Sequence, residues 1–429
     1  MTGALRRSLA ALLVAVASAP AAAAGAQFQC VEPNPAAALA ASIGVNTHLQ
    51  QGDQYANARR TVEMLKTLGI TQVREPFAGV GHPGIEYAAR KGIKFVFLIG
   101  GGWGKKVVPA LEDWERRYPG SILAIEGPNE VNNWPVTFEG ETGVKAAQRF
   151  QAMLYEGVKK SPALSRIPVV ALTSWPVFAS RSDIGNIHAY ERAGGFMAEE
   201  IRDAIADERR LNPPRKQIWM TEAGYHTLVG ADSDEGVSEE VQAKYTLTFF
   251  LDAYRLGVRK TFLYQLLDQY ANPADIQSHF GLVDRQWRPK AGFAALQSMI
   301  GILSGQDATA APIRPLRYRL TGLPPQARQM LFQAADGDRL LVVWNEPEIW
   351  DSKRDVEIAN ATARVRLDLD PAQAEIALFD PLTGNQPIAR VRGSGTLEFT
   401  LDDHPVFVRI ESDDAARLPC QGVTEAPAE

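Results

Sequence analysis

From residue 42 to about residue 304, short apolar runs alternate with longer segments of helical period. The apolar runs fall at residues 43–46, 72–74, 95–99, 122–126, 169–172, 184–188, 218–221 and 261–264. Strands that read as continuous apolar runs are buried on both faces, and helices between them make the crossovers of a parallel sheet. Eight such units over ~260 residues predict an α/β fold of the closed (β/α)8 TIM-barrel type rather than an open doubly wound sheet. Helices are expected over residues 55–68, 107–118, 141–161 and 196–211, with a further one starting after Ser238. Ser238 is a good N-cap, and Glu239 and Glu240 follow in the first turn, where the helix dipole favours anions. Leu68-Gly69-Ile70, Lys91-Gly92-Ile93 and Leu256-Gly257-Val258 repeat one signal, a helix closed by glycine and a strand begun at once.

After about residue 305 the helical period disappears. Strand-like runs follow at residues 340–344, 363–367, 376–379 and 406–410, separated by turn signals such as Asp336-Gly337 and Thr383-Gly384. They predict a C-terminal antiparallel β-sandwich domain. At the other end, Arg6 and Arg7 precede an apolar stretch over residues 9–17 and then small residues up to Ala26, the pattern of a cleaved export signal. The expected organisation is a signal peptide at 1–26, a catalytic barrel at 27–305, a β-sandwich at 306–416 and a tail at 417–429. Residues 30–40 are expected to pack against the β domain.

Composition narrows the function. The chain has 429 residues, is 45% hydrophobic and carries a net charge of −5, so it can bury a core and lacks the basic footprint of a nucleic-acid binder. No later segment is apolar for long enough to span a bilayer, so the mature chain is expected to be exported to the periplasm or beyond without a membrane span. Its two cysteines, Cys30 and Cys420, stand at opposite ends. In an oxidising compartment a disulfide between them is expected, with two free thiols as the alternative.

In a barrel of this kind the reacting groups project from the C-terminal ends of the strands. Two carboxylates stand at such places, Glu130 after the fourth apolar run and Glu222 after the seventh. A lone glutamate there is ordinarily a solvated loop residue. A pair on one rim is what glycoside hydrolysis needs, one protonated to assist the leaving oxygen and the other ionised to attack or to activate water. Arg74, at the end of the second run, would favour an ionised neighbour. His48 ends the first run, His188 and Tyr190 end the sixth, and Tyr264 ends the eighth. Trp103, Trp134, Trp175 and Phe178 follow runs three, four and five, where aromatic faces suit sugar rings, though each could equally be core. Glu126 is placed as a supporting partner inside the fourth strand. Trp344-Asn345-Glu346-Pro347 also offers a glutamate, but in the β domain, and Glu346 is read as a turn residue.

On these residues the chain resembles the clan A retaining glycoside hydrolases, and is most similar in plan to family 39, whose barrel carries an appended β-sandwich. Asn129-Glu130 is similar to the acid/base motif of strand four and Trp219-Met220-Thr221-Glu222-Ala223-Gly224 to the nucleophile motif of strand seven. Arg74 is similar to the strand-two arginine and His188-Ala189-Tyr190 to the strand-six His-x-Tyr. The chain departs from the pattern where Pro128 precedes Asn129 instead of following the glutamate, and where Tyr264-Gln265 stands in place of a tryptophan. The resemblance implies double displacement with retention, with Glu222 as nucleophile and Glu130 as acid and then base. It also implies Asn129 on the sugar 2-hydroxyl, and neither metal nor organic cofactor. The expected substrate is a polysaccharide or oligosaccharide. The rival readings are a non-catalytic carbohydrate-binding protein on the same barrel and a transglycosylase.

Overall fold

The computed structural model describes residues 27–192, 194–211, 217–231, 236–304, 311–370, 372 and 375–411. The expected signal peptide, Cys420 and the tail lie outside the described residues. Among the described residues no helix is long and apolar enough to cross a membrane.

Eight strands form one parallel sheet: Ile43–Asn46, Gln72–Pro76, Lys94–Leu98, Ile122–Glu126, Val169–Val170, Gly185–Ala189, Ile218–Ala223 and Val258–Leu263. They are called strands one to eight below. Strand eight pairs with strand one through Leu263 and Val45. The ring closes between strands five and six through a parallel bridge from Val170 to Ile184 and an Ala171 N–H to Ile184 carbonyl bond of 2.9 Å. The expected barrel is therefore present.

Alternation along the strands sorts its interior. Val96, Ala124, Val170, Ile184, Trp219 and Phe262 form an apolar cluster of their own. Gly44 leaves room for it, since a Cβ there would lie 2.4 Å from the Phe262 ring. Two residues further along their strands, on the same face, come Glu126, Asn186, Thr221 and Tyr264, joined by Asn46 and Arg74. The barrel thus carries a polar layer directly above a dry one, at the end where active sites of this fold sit.

The helices that face this barrel are Ala58–Leu68, Val107–Arg117, Val144–Lys160, Ala198–Leu211 and Glu239–Arg255, each close to its expected span. The first starts three residues late because the Asn57 side chain caps it, accepting the Arg60 N–H at 3.1 Å. Ser238 caps as expected, accepting from Val241 N–H at 3.2 Å, and Gly69, Gly92 and Gly257 all take positive φ. Helix Ala291–Leu303 has no polar stripe to give it a period. It packs against helix Glu239–Arg255, and its exposed stripe is Ala291, Ala294, Gln297 and Gly301, nearly all small and uncharged.

The C-terminal region is a two-sheet antiparallel sandwich. One sheet orders Gln29–Val31, Leu316–Thr321, Ala363–Leu369 and Thr396–Leu401; the other orders Asn34–Pro35, Arg328–Gln333, Arg339–Trp344, Val406–Ile410, Glu375–Phe379 and Pro387–Arg392. Leu320, Leu341, Val365, Val408 and Phe399 meet between them. The six-stranded sheet presents Phe332, Val342, Trp344 and Phe407 to the barrel helices, with which they share a core.

One boundary moves. Residues 29–35 do not belong to the barrel, which begins near Ala36. They add an edge strand to each sheet, with Cys30 opposite Arg317, and so supply partners to backbone groups an edge would leave bare. Cys30 thereby sits in the same domain that leads to Cys420, and their pairing stays an expectation.

Candidate active site

Arg74 is the hub of the polar layer, only 3% exposed. It lies within strand two, two residues before its end, and not at the end as the sequence implied. Its guanidinium grips Glu126 with two parallel bonds, Nε to Oε2 at 2.7 Å and Nη2 to Oε1 at 2.8 Å. The remaining donors reach Asn46 Oδ1 at 3.1 Å, Asn129 Oδ1 at 2.7 Å and Glu222 Oε1. A planar five-donor fork suits such a set, and no lysine could serve it. Asn46 in turn donates to the Thr221 carbonyl at 3.0 Å, tying strand one to strand seven.

Glu222 lies inside strand seven, which runs on to Ala223. It is almost fully buried. Arg74 donates to one of its oxygens and the Tyr190 hydroxyl to the other at 2.9 Å. The two contacts fix the plane of its carboxylate.

Glu130 stands in a tight turn after strand four, with φ at +36°. Its carbonyl accepts the N–H groups of Asn133 and Trp134, both at 2.8 Å, and its own N–H donates to Thr173 Oγ1 at 2.9 Å. Left-handed backbone at a non-glycine residue is strained, and such strain gathers at functional sites. The carboxylate accepts from Asn133 Nδ2 at 3.2 Å and meets His188 Nδ1 at 3.0 Å. Oxygens of Glu130 and Glu222 lie within 4.8 Å of each other.

Glu130 and His188 share one hydrogen bond. Burial would raise Glu130, but the hydrogen bond and charge of His188, the Asn133 bond and the charge of Arg74 outweigh it and hold the group at about 2. His188 Nε2 meets Thr221 Oγ1 at 3.0 Å. That hydroxyl has one hydrogen, and its other neighbours, Glu126 Oε1 at 3.1 Å and Asn186 Oδ1 at 2.9 Å, only accept. It must donate to one of them and accept from His188. The hydrogen bond between His188 Nδ1 and Glu130 holds the proton that acid catalysis needs. Glu130, His188 and Glu222 could in geometry gather around a cation.

Beside this centre, His48 packs edge-on to Tyr264, ring centroids 5.6 Å apart. Burial, and then the charge of Arg74, push His48 down to about 3, so it is neutral. Tyr264, just past strand eight, donates to Gln277 Oε1 at 2.7 Å. Trp103 is half buried, donating to the Phe77 carbonyl at 3.0 Å, and forms a cleft wall. Trp134 and Trp175 stand out from the rim. Thus all the predicted barrel residues reach one rim, while Glu346 does not. Trp344 Nε1 donates to Glu346 at 2.8 Å, and Glu346 lies against Asp252, which burial and then this neighbouring charge push up to about 8. It belongs to the seam between the domains.

Asn46, Asn186 and Thr221 were missed as site residues. Their signal was a polar residue inside an apolar strand, which must find a buried partner. Glu75 was missed too. It faces away from Arg74, and its carboxylate accepts from Thr47 Oγ1 at 2.7 Å, Leu49 N–H at 3.0 Å and Gln50 N–H at 3.1 Å, pinning the loop that carries His48. Burial outweighs those bonds and pushes it up to about 8. Between its unfolded value, about 4.3, and about 8, the folded state binds a proton that the unfolded state has lost. This group's contribution to stability is therefore full below that window and is lost as pH rises through it. Glu75→Gln should be destabilised less at the top of the window than at its bottom. Melting temperatures of both proteins across it would give the difference; a flat difference would show that Glu75 is ionised throughout.

No protein-family model matches the chain, and no curated protein matches it in sequence. Solved structures do match. A family 39 glycoside hydrolase from the gut symbiont Bacteroides cellulosilyticus WH2 superposes with a TM-score of 0.61 at 16% identity, covering 88% of this chain and 81% of that one. The family 39 (GH39) enzyme from Xanthomonas axonopodis pv. citri gives 0.56 at 13% identity, covering 86% and 93%. At these identities the likeness is one of fold, the barrel with its appended sandwich.

Proposed function

We propose that this chain is an exported glycosidase that cleaves the O-glycosidic bonds of a polysaccharide or oligosaccharide with retention. The observation that carries the reading is the approach of the Glu130 and Glu222 oxygens to within 4.8 Å. Retaining enzymes hold their carboxyl groups about 5–5.5 Å apart, whereas inverting ones leave about 6.5–9.5 Å for a water. The neighbours separate the two roles. Glu222, gripped by Arg74 and Tyr190, stays ionised and attacks the anomeric carbon. Glu130 gives the proton of its hydrogen bond with His188 to the glycosidic oxygen and later takes one from the incoming water. Asn129, oriented by Arg74, is aimed at the 2-hydroxyl of the same sugar. The fold shared with two family 39 enzymes agrees with this chemistry. The likeness supports export no further than the amino-terminal pattern does, and the Cys30–Cys420 bridge remains part of the same proposal.

The test is reducing-end release from β-glucans, xylans, mannans, arabinans and bacterial exopolysaccharides. Wild type should be active and Glu130→Gln and Glu222→Gln inactive. Glu346→Gln should keep full activity, because its carboxylate lies at the domain seam; its loss of activity with intact folding would relocate the site. Tight binding of one polymer with no cleavage would favour the binding-protein reading, and products longer than the substrate would favour transfer.

A further inference from the structure

Two open clefts meet at the candidate catalytic turn. One, of about 820 Å³, runs over the ends of strands two to four and is lined by Phe77, Trp103, Asn129 and Trp134. The other, of about 610 Å³, runs over strands four to six and is lined by Glu130, Asn133, Trp175 and Phe178. Each alone has the volume of a pocket for a drug-sized ligand, about 300–1,000 Å³, which is more than a single sugar ring. An enzyme that clips one residue from a chain end needs a single pocket closed beyond the reacting sugar. Here space continues on both sides of Glu130.

Each cleft also carries a large ring bare to solvent. Trp134 is 69% exposed and Trp175 68%. Tryptophan is seldom left so exposed, because its apolar area is the largest of any side chain. Both rings are mounted on the turn that holds Glu130. Trp134 N–H donates to the Glu130 carbonyl at 2.8 Å, and Trp175 N–H donates to Asn132 Oδ1 at 2.9 Å. Both are therefore tied to one turn, each in its own cleft. A flat ring face exposed in a cleft suits the apolar face of a pyranose.

Asn129 lines the first cleft; Glu130, His188 and Tyr190, which holds Glu222, line the second. A chain longer than one sugar bound at Glu222 has room to extend into either cleft.

Resting on the glycosidase reading above, we infer that the enzyme cuts inside long glycan chains, with Trp134 and Trp175 as the platforms for the chain on the two sides of the cut. The first experiment follows polymer length by size-exclusion chromatography at low conversion. Early collapse of chain length is expected; release of monosaccharide from an undiminished polymer would overturn the inference and leave the glycosidase reading standing. Trp134→Ala and Trp175→Ala should each lower the ratio of polymer turnover to 4-nitrophenyl glycoside turnover by about tenfold, the effect of losing one stacked ring. Trp→Phe at either position should recover much of it.

A binding arm needs no turnover. Glu130→Gln would be run through native gels containing xylan, mixed-linkage β-glucan, galactomannan or a bacterial exopolysaccharide. Retardation by one polymer is expected, relieved when either tryptophan is also replaced by alanine. Absence of retardation in all four gels, or retardation indifferent to both tryptophans, would overturn the inference. The 4-nitrophenyl glycosides test the glycosidase reading separately.

Discussion

Glu222→Gly should lower turnover by on the order of 10⁴–10⁶-fold, and added azide should restore it with the anomeric configuration inverted. The loss follows from position. Glu222 is the carboxylate held by both Arg74 and Tyr190. Removing the side chain leaves room for a small anion on the same face of the sugar. Azide would then make one displacement where the parent makes two, so the product inverts. Glu130→Gly should respond differently. Its nucleophile is intact, so a glycosyl-enzyme still forms on activated substrates and azide takes the sugar with retention. Nuclear magnetic resonance of the two azide products distinguishes the roles. Retention from the Glu222 variant would exchange the two assignments.

Arg74→Met should be the most damaging single change to stability, costing about 3–5 kcal/mol. Glu126 is fully buried, and its grip by Arg74 is what offsets the loss of water around both groups. Without the cation, Glu126 and Glu222 face each other uncompensated, and Asn46 and Asn129 lose a donor. Adding Glu126→Gln to Arg74→Met should recover part of the loss, because the charge most deeply stranded is then gone. Urea unfolding of the parent, both single variants and the double variant measures the coupling. A cost below about 1 kcal/mol, the value of a surface pair, would mean that the layer is wet. Activity should not return in the double variant, since Glu222 still lacks the group that keeps it ionised and oriented.

Much of this was legible along the chain. The eight barrel strands announced themselves because strands buried on both faces must be apolar throughout, and their helices because each buries one stripe only. Glycine at residues 69, 92 and 257 marked three helix ends because only a left-handed residue turns the chain there. Glu130, Glu222, Arg74, His188 and Tyr190 were legible by position, as polar residues at or near the ends of apolar runs. Helix Ala291–Leu303 was silent because its solvent face, Ala291, Ala294, Gln297 and Gly301, carries hardly any polar signal. Residues 30–40 were expected to pack on the β domain, but the edge strands at 29–35 were not, because so short a segment takes its conformation from the sheets it joins.

By itself, then, the sequence determined the barrel, the sandwich and the rim on which the candidate carboxylates meet, since these follow from local patterns of burial and turning. Tertiary structure alone decided what depends on distances across the ring. Arg74 became a five-bond hub because strands one, two, four and seven converge there. Glu130 came to face His188 because strand six carries that ring across to the turn after strand four. Trp175 came to stand near the turn of Glu130 and Trp134 because the loop after strand five is tied to it through Asn132.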